Sequence, residues 1–196
     1  NGQSWGSAFK TITHAVSVAG VSGDIVNVRG NKCGPNVIPY SEQRGESFPI
    51  TLKSGVVLRG EWPGSPVYVW STVAGNSTPI FEVDDSTGDA TNISIEKMGL
   101  FGGGHGARIR ATNDGSIGVT LKKLTFSRHK NNAVEVLAED DSLVIVDVLN
   151  CSITDGLPAM IPQDPPCDIN GPSTGKMDNG IVLTATQEVT GTGATG

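Results

Sequence analysis

The chain has 196 residues, of which 37% are hydrophobic and 17% charged, and its formal net charge is -6. A pI near 5.0 argues against nucleic acid as a partner, because phosphate binding relies on a basic surface. No apolar run reaches about 18 residues, so we expect no membrane insertion. The 26 glycines and 11 prolines indicate a turn-rich all-β chain, and the length fits one domain spanning 1–196.

The first predicted element is a short helix over residues 5–19. Its apolar residues Phe9, Ile12, Val16 and Ala19 fall on one face at helical spacing. We expect this helix to cap the strands that follow, because a terminal coil otherwise exposes its core and its strand edges. Short strands of less regular spacing are predicted after it, at 24–29, 50–53, 55–60, 67–70 and 80–83.

The middle of the chain contains an internal repeat, with copies that begin at Ile93, Val119 and Val144. The offsets are 26 and then 25 residues. In each copy the apolar residues alternate, slip by one and resume, which predicts two short strands joined by a bend. Stacking the copies predicts four core ladders: Ile93 with Val119 and Val144, Ile95 with Leu121 and Val146, Met98 with Leu124 and Leu149, and Leu100 with Phe126 and Cys151.

A third strand follows each bend, at 107–111, 134–138 and 181–185. Three strands in about 26 residues predict a right-handed, single-stranded parallel β-helix, with coils over 20–186 and a tail at 187–196. The tail has no apolar periodicity. We therefore expect either a longer protein or a second chain to cover this open end, by self-association in the latter case.

Stacking also places charged residues in outward columns. Glu96, Lys122 and Asp147 fall in one column, and Arg108 pairs with Glu135 in another. Such surface pairs each contribute little, about 0.2 to 1 kcal/mol, but they oppose register slips. We interpret these charges as structural.

The corner after the second strand varies in length between coils, which is typical of a functional loop. It spans 102–106, then 127–132, then a proline-rich insertion over 155–179. If the corners stack, His105 lies near Arg128, His129 and Lys130, with the insertion beginning at Asp155 as a wall beside them. Such a cleft could bind the carboxylates or sulfates of an acidic polysaccharide. The alternative is that 128–130 is a plain solvated turn.

Metal and cysteine signals are weak. Asp84, Asp85 and Asp89 form a loose candidate calcium site without the pattern of a calcium-binding hand, and we expect no other cofactor. Three cysteines allow at most one disulfide. A bridge between Cys33 and Cys167 is one option, if the fold brings these two Gly/Pro-rich segments together.

The N-terminal third resembles the opening of pectin-lyase-like β-helix proteins, most closely an uncharacterised extracellular subgroup. The resemblance rests on 9–16, 22–29, 40–42, 45–50 and 54–61, where a helix precedes a first strand containing Gly-Asp. It implies the β-helix fold and a secreted or cell-surface location. The superfamily includes polysaccharide lyases and hydrolases as well as adhesins, and no lyase catalytic signature is found in this chain.

These observations leave three hypotheses on function. The first is an extracellular domain that binds a polysaccharide or cell-surface glycan at the corner cleft. The alternative is a structural or adhesive surface module without catalysis, although a pure spacer has no need of a long corner insertion. The third is a polysaccharide lyase or glycoside hydrolase, for which the sequence offers no demonstrated catalytic residue.

Overall fold

The structure is a computed structural model that describes residues 8–19, 23–33, 36–61, 66–72, 77–85, 88–112, 114–154 and 179–185. One helix, α1 (Ile12–Val18), precedes a series of short strands. The strands are β1 (Ile25–Val28), β2 (Asn31–Cys33), β3 (Asn36–Ile38), β4 (Tyr40–Ser41), β5 (Ile50–Thr51), β6 (Val57–Gly60), β7 (Val67–Ser71), β8 (Pro79–Asp84), β9 (Ala90–Glu96), β10 (Met98–Gly102), β11 (His105–Ala111), β12 (Ser116–Lys122), β13 (Thr125–Ser127), β14 (Asn132–Ala138), β15 (Leu143–Leu149), β16 (Ser152–Thr154) and β17 (Asn179–Ala185).

The strands form three parallel sheets of five strands each, so the chain is a β-solenoid. Sheet A has the order β1-β6-β9-β12-β15, sheet B the order β4-β7-β10-β13-β16, and sheet C the order β5-β8-β11-β14-β17. Each coil contributes one strand to each sheet, and β2 and β3 form an antiparallel hairpin. The predicted parallel β-helix is therefore confirmed, as are the early strands.

The core consists of apolar ladders between the sheets. Ile93 pairs with Val119, Ile95 with Leu121, and Leu100 with Phe126, and all six side chains are buried. The third-strand ladder of Ala107, Val134 and Ile181 also forms. Alternate side chains of each strand point inward because the strand period is two, so stacking places like positions together.

The predicted register of the last copy is wrong by two residues. Val119 pairs with Val146 rather than Val144, and Phe126 pairs with Ile153 rather than Cys151. Leu149 likewise lies opposite Lys122. Because β15 carries valine at every second position, a two-residue slip keeps the same face inward, and the hydrophobic pattern cannot distinguish the two registers.

The bend between sheets A and B explains the observed register. Lys97, Lys123 and Asn150 each adopt a left-handed backbone conformation, with φ of 58°, 55° and 54°. L-residues adopt this conformation uncommonly, so its recurrence marks equivalent positions of successive coils. The offsets between these bends are 26 and 27 residues.

The charged columns are confirmed for two coils. Glu96 pairs with Lys122 in the backbone register, but Asp147 lies opposite Thr120, so its predicted place in this column is wrong. The Arg108 Nε lies 2.6 Å from Oε2 of Glu135. This ion pair joins adjacent strands of sheet C.

Helix α1 is shorter than predicted. Residues 8–10 are not helical, and Thr11 is the N-cap, accepting a hydrogen bond from the backbone N–H of His14. Phe9 precedes the helix and contacts the His14 ring edge-on at 4.7 Å. The predictions for residues 5–7, for the insertion over 155–178 and for the tail lie outside the described residues.

A carboxylate from the first coil holds the start of α1. Glu46 is only 4% exposed, and its Oε1 accepts from the N–H of Ile12 at 2.6 Å. Its Oε2 accepts from the N–H of Thr13 at 3.0 Å and from the Thr13 hydroxyl at 2.7 Å. Since a seven-residue helix is not stable alone, this contact and the burial of Ile12 and Val16 fix α1 at the end of the core.

Within the described residues, no helix has the length and apolar character needed to cross a membrane.

We predict that Glu46→Gln lowers the free energy of unfolding by about 1 to 3 kcal/mol, because the amide removes a charged acceptor and turns a donor toward backbone N–H groups. Chemical denaturation measures the change. The matched control is Glu61→Gln, whose ion pair with Arg29 is 3.7 Å long and exposed, and whose loss costs less than about 1 kcal/mol. Equal losses in the two variants would contradict the capping role.

Candidate functional site

A groove lies on the outside of the bend between sheets A and B. Its volume is about 530 Å³, and its walls include Tyr68, Lys97, Gly99, Lys123 and Thr125. The register of sheet B unites them, since Gly99 pairs with Tyr68 on one side and with Thr125 on the other. Three successive coils therefore contribute to one groove.

The left-handed bend places two lysines at this groove. The Lys97 N–H donates to the carbonyl of Lys122 at 2.9 Å, and the Lys123 N–H donates to the carbonyl of Leu149 at 2.8 Å. These bonds hold each bend to the next coil. The two lysine backbones consequently stack one coil apart, about 4.8 Å in a parallel sheet.

Tyr68 contributes an aromatic ring to the lining of the groove. The Tyr68 ring lies edge-on to Phe101, with centroids 5.1 Å apart. Gly99 allows this approach, because a Cβ there would lie 2.6 Å from Phe101 Cε2 and 2.7 Å from Tyr68 Cδ1. Tyr68 is partly exposed, and burial raises the pKa of its phenol, so the hydroxyl stays protonated at neutral pH.

The charges beside the groove divide into paired and unpaired groups. Arg59 Nε lies 3.0 Å from Glu96 Oε2. Burial raises the pKa of Glu96, but the hydrogen bond and the charge of Arg59, with a contribution from Lys122, lower it below its usual value. Among the described residues, by contrast, no carboxylate forms an ion pair with Lys97 or Lys123. Within the described ranges, the groove therefore carries two lysines without an ion-pair partner.

The predicted corner site lies at the other end of β10. Its corners stack as expected, since the Lys130 N–H donates to the Gly103 carbonyl at 3.0 Å. Gly102 and Arg128 occupy equivalent positions, and both have left-handed backbone conformations. Arg128 and Lys130 are partly exposed, whereas the predicted ligand-binding residue Asp155 lies outside the described residues.

His129 points into the solenoid. It is fully buried, and its Nδ1 donates to the Gly102 carbonyl, while its Nε2 has no hydrogen-bond partner among the described residues. Burial lowers the pKa of His129 to about 4, so the ring is neutral at pH 7. It adds no positive charge to the predicted cleft.

His105 is also buried, beside a charged pair. Its Nε2 lies 3.6 Å from Oε2 of Glu135 and 3.4 Å from Nδ2 of Asn131. Burial lowers the pKa of His105; the carboxylate of Glu135 opposes this shift and Arg108 adds to it. The structure thus brings His105 and His129 to one corner, but in a buried polar network rather than on an open cleft floor.

Two of the candidate calcium ligands accept hydrogen bonds from backbone N–H groups of the next coil. Asp85 Oδ2 accepts from the Thr112 N–H at 2.7 Å, and Asp89 Oδ1 accepts from the Ser116 N–H at 3.0 Å. In the part of the chain that the structure describes, no three His, Cys, Asp or Glu side chains form a group that could hold a metal ion. Asp84 is a partly buried member of sheet C, opposite Arg110. Calcium binding stays a prediction.

The disulfide prediction cannot be compared with the fold, because Cys167 lies outside the described residues. Cys33 ends strand β2. Cys151 carries a free thiol, whose Sγ donates to the Leu121 carbonyl at 3.4 Å.

The groove itself was missed by sequence reasoning, although one signal was present. Each repeat slips by one residue at its bend, and the residues at that slip are Lys97 and Lys123. An inserted residue in a stacked bend projects outward, which marks these lysines as surface groups. Tyr68 carried no such signal, because its place beside Gly99 depends on the register of an irregular coil.

We predict that His129 makes the protein sensitive to acid. As the pH falls from the ordinary histidine value of 6.5 to about 4, the unfolded chain takes up a proton that the folded chain excludes. The contribution of His129 therefore lowers the free energy of unfolding by roughly 3 kcal/mol over this range and does not change further below it. Denaturation at a series of pH values measures this slope.

His129→Asn keeps a donor for the Gly102 carbonyl and removes the titrating ring, so its slope is shallower than that of the unmodified protein. The control His14→Asn, at an exposed position, keeps the original slope. Identical slopes in both variants would exclude His129 as the source.

Comparison with known proteins identifies a family. A family model described as "Protein of unknown function (DUF1565)" matches residues 1–140, from before α1 through β14. No curated protein and no solved structure matches the chain. The family match covers the groove and the histidine corner, while the wider resemblance to pectin-lyase-like proteins stays a prediction. Since the matched region is more than half of the sequence, the chain belongs to the DUF1565 family, and its domain is a parallel β-solenoid.

Proposed function

We propose that this β-solenoid binds an anionic polysaccharide in the groove between Tyr68 and the lysines 97 and 123. The observation that carries the proposal is that one groove is lined by a partly exposed aromatic ring and by two lysines that form no ion pair among the described residues, on a chain whose net charge is -6. A local positive site on an acidic protein favours a ligand with regularly spaced negative groups.

The stacking of the lysines supports an anion between them. Their backbones lie one strand spacing apart, about 4.8 Å, so the two like charges repel each other. A carboxylate or sulfate that lies between them removes this repulsion and accepts charge-assisted hydrogen bonds. A polymer with one acidic group on each sugar offers such anions in series.

Tyr68 and Thr125 supply the contacts that a sugar ring needs. The exposed part of the Tyr68 ring is an apolar surface with a hydroxyl donor at its end, a combination that suits the C–H face and the hydroxyl groups of a sugar. The Thr125 hydroxyl already contacts Ser152 Oγ at 3.1 Å, and it can donate or accept one bond more. Gly99 leaves the groove floor open between them.

The proposal keeps the predicted ligand class and changes its place. His105 and His129 are buried and hold lowered pKa values, so neither adds a positive charge to the floor of the corner that they form. A secreted or cell-surface location is part of the proposal, because acidic polysaccharides are extracellular polymers. We propose binding and assign no catalytic residue.

We predict that the double variant Lys97→Asn/Lys123→Asn weakens binding of polygalacturonate by about tenfold or more, since two charge-assisted contacts are lost. Asparagine occupies the equivalent bend at position 150 with φ of 54°, so the left-handed backbone is preserved. Isothermal titration calorimetry measures the affinity, and neutral dextran serves as the uncharged ligand.

The control for net charge is Lys10→Asn/Lys53→Asn, which removes two exposed lysines elsewhere and leaves the affinity unchanged within about twofold. Tyr68→Ala tests the aromatic wall and also weakens binding. An unchanged affinity in the Lys97/Lys123 variant, or an equal loss in the control, would overturn the proposed site. Absence of binding to any acidic polysaccharide would leave a structural module as the function.

A further inference from the structure

Strand β15 ends sheet A, and both of its faces are apolar. Leucine, isoleucine and valine fill six of its seven positions, and Asp147 is the exception. One edge of β15 pairs with β12, and among the described strands nothing pairs with the other. Its free N–H and C=O groups can therefore accept another strand.

The exposed apolar surface of the described residues is concentrated at this end. Seven large hydrophobic side chains are exposed, and five of them lie on β15 and β16: Leu143, Ile145, Val148, Leu149 and Ile153. Ile145, on the outer face of sheet A, is 56% exposed. A contiguous apolar patch with an open strand edge is typical of an interface between chains.

We propose that a second copy of this chain pairs with β15 in antiparallel fashion, about a two-fold axis at Val146. This register places Leu143 opposite Leu149 and Val144 opposite Val148, and it brings Val146 opposite its own copy. Apolar side chains then meet on both faces of the combined sheet. The one mixed pair is Ile145 with Asp147.

The other end of the solenoid explains why the second copy meets β15 with its own β15. A head-to-tail copy would need the open edge of the first coil, but α1 contacts β1 and β5 there and buries Ile12 and Val16. In the part of the chain that the structure describes, this leaves the end that carries β15 for pairing. An interface between two identical ends is isologous, so it closes as a dimer and does not extend into a fibre.

Charge selects the antiparallel orientation. The turn before β15 carries Glu139, Asp140 and Asp141, all at least partly exposed. Parallel, in-register pairing of two copies would place these acidic turns side by side and set Asp147 against Asp147, which is unfavourable. Antiparallel pairing moves the turns to opposite ends of the interface and sets each Asp147 against an isoleucine.

The inference does not depend on the proposed function. The groove lysines 97 and 123 lie on coils before β15, and neither takes part in the proposed strand pairing. Failure of either proposal leaves the other unchanged.

The test compares two substitutions at one exposed position. Sedimentation equilibrium of the full chain is expected to give a dimer. Ile145→Asp places a second aspartate opposite Asp147 of the other copy, twice in each dimer. This repulsion raises the dissociation constant about tenfold or more. Ile145→Lys changes the same exposed position but places a lysine opposite Asp147 of the other copy. These opposite charges attract, so the dimer is kept.

Circular dichroism spectra and melting curves of both variants confirm that each monomer is folded. A monomeric wild-type chain, a mass above the dimer, or equal dissociation by Ile145→Asp and Ile145→Lys would overturn the inference. The last result would indicate parallel pairing or a merely apolar contact, in which the sign of the charge has no effect.

Discussion

The structure depends on the backbone register between successive coils. Parallel hydrogen bonds join each strand to the equivalent strand of the next coil, and this alignment decides which side chains meet. It stacks Ile93 on Val119 in the core, joins Arg108 to Glu135 outside, and brings Tyr68, Gly99 and Thr125 into one groove. A change of two residues in this alignment would keep a hydrophobic core but separate the groups of the groove.

The bends between the sheets determine which side chains of each coil are exposed and which are buried. In three successive coils a left-handed residue turns the chain from sheet A to sheet B, and in two of them that residue is a lysine. The same conformation recurs at Gly102 and Arg128 where sheet B ends. The bend between sheets A and B therefore presents the two lysines at the surface, whereas the corner at the end of sheet B encloses the rings of His129 and His105. The lysines of the first corner thus reach solvent, whereas the two histidine rings of the second corner are buried.

The fold could be predicted from the sequence because the alternation of apolar residues predicts the strands, and the one-residue slip that recurs in each repeat predicts the bend between them. The alignment of Ile93 with Val119, and of Arg108 with Glu135, followed from these signals. The place of β15 did not, since Val144, Val146 and Val148 satisfy the core equally well in two registers. Composition was misleading at His129, because a run of polar residues beside two asparagines is typical of a solvated turn. The groove needed Tyr68, which lies 31 residues before its partner Gly99, in a coil too irregular for the repeat to reveal.

The two ends of the solenoid differ in the number of interfaces that hold the end coil. An inner coil has a neighbour on each side, so its exchange with an open state requires the loss of two interfaces, while among the described residues the coil of β15 has one neighbouring coil. The first coil is held on its outer side by α1 and the carboxylate of Glu46. In a chain that is not paired at β15, local unfolding therefore begins at β15 and β16 and proceeds toward the helix, so that amide protection rises along the solenoid axis from one end to the other.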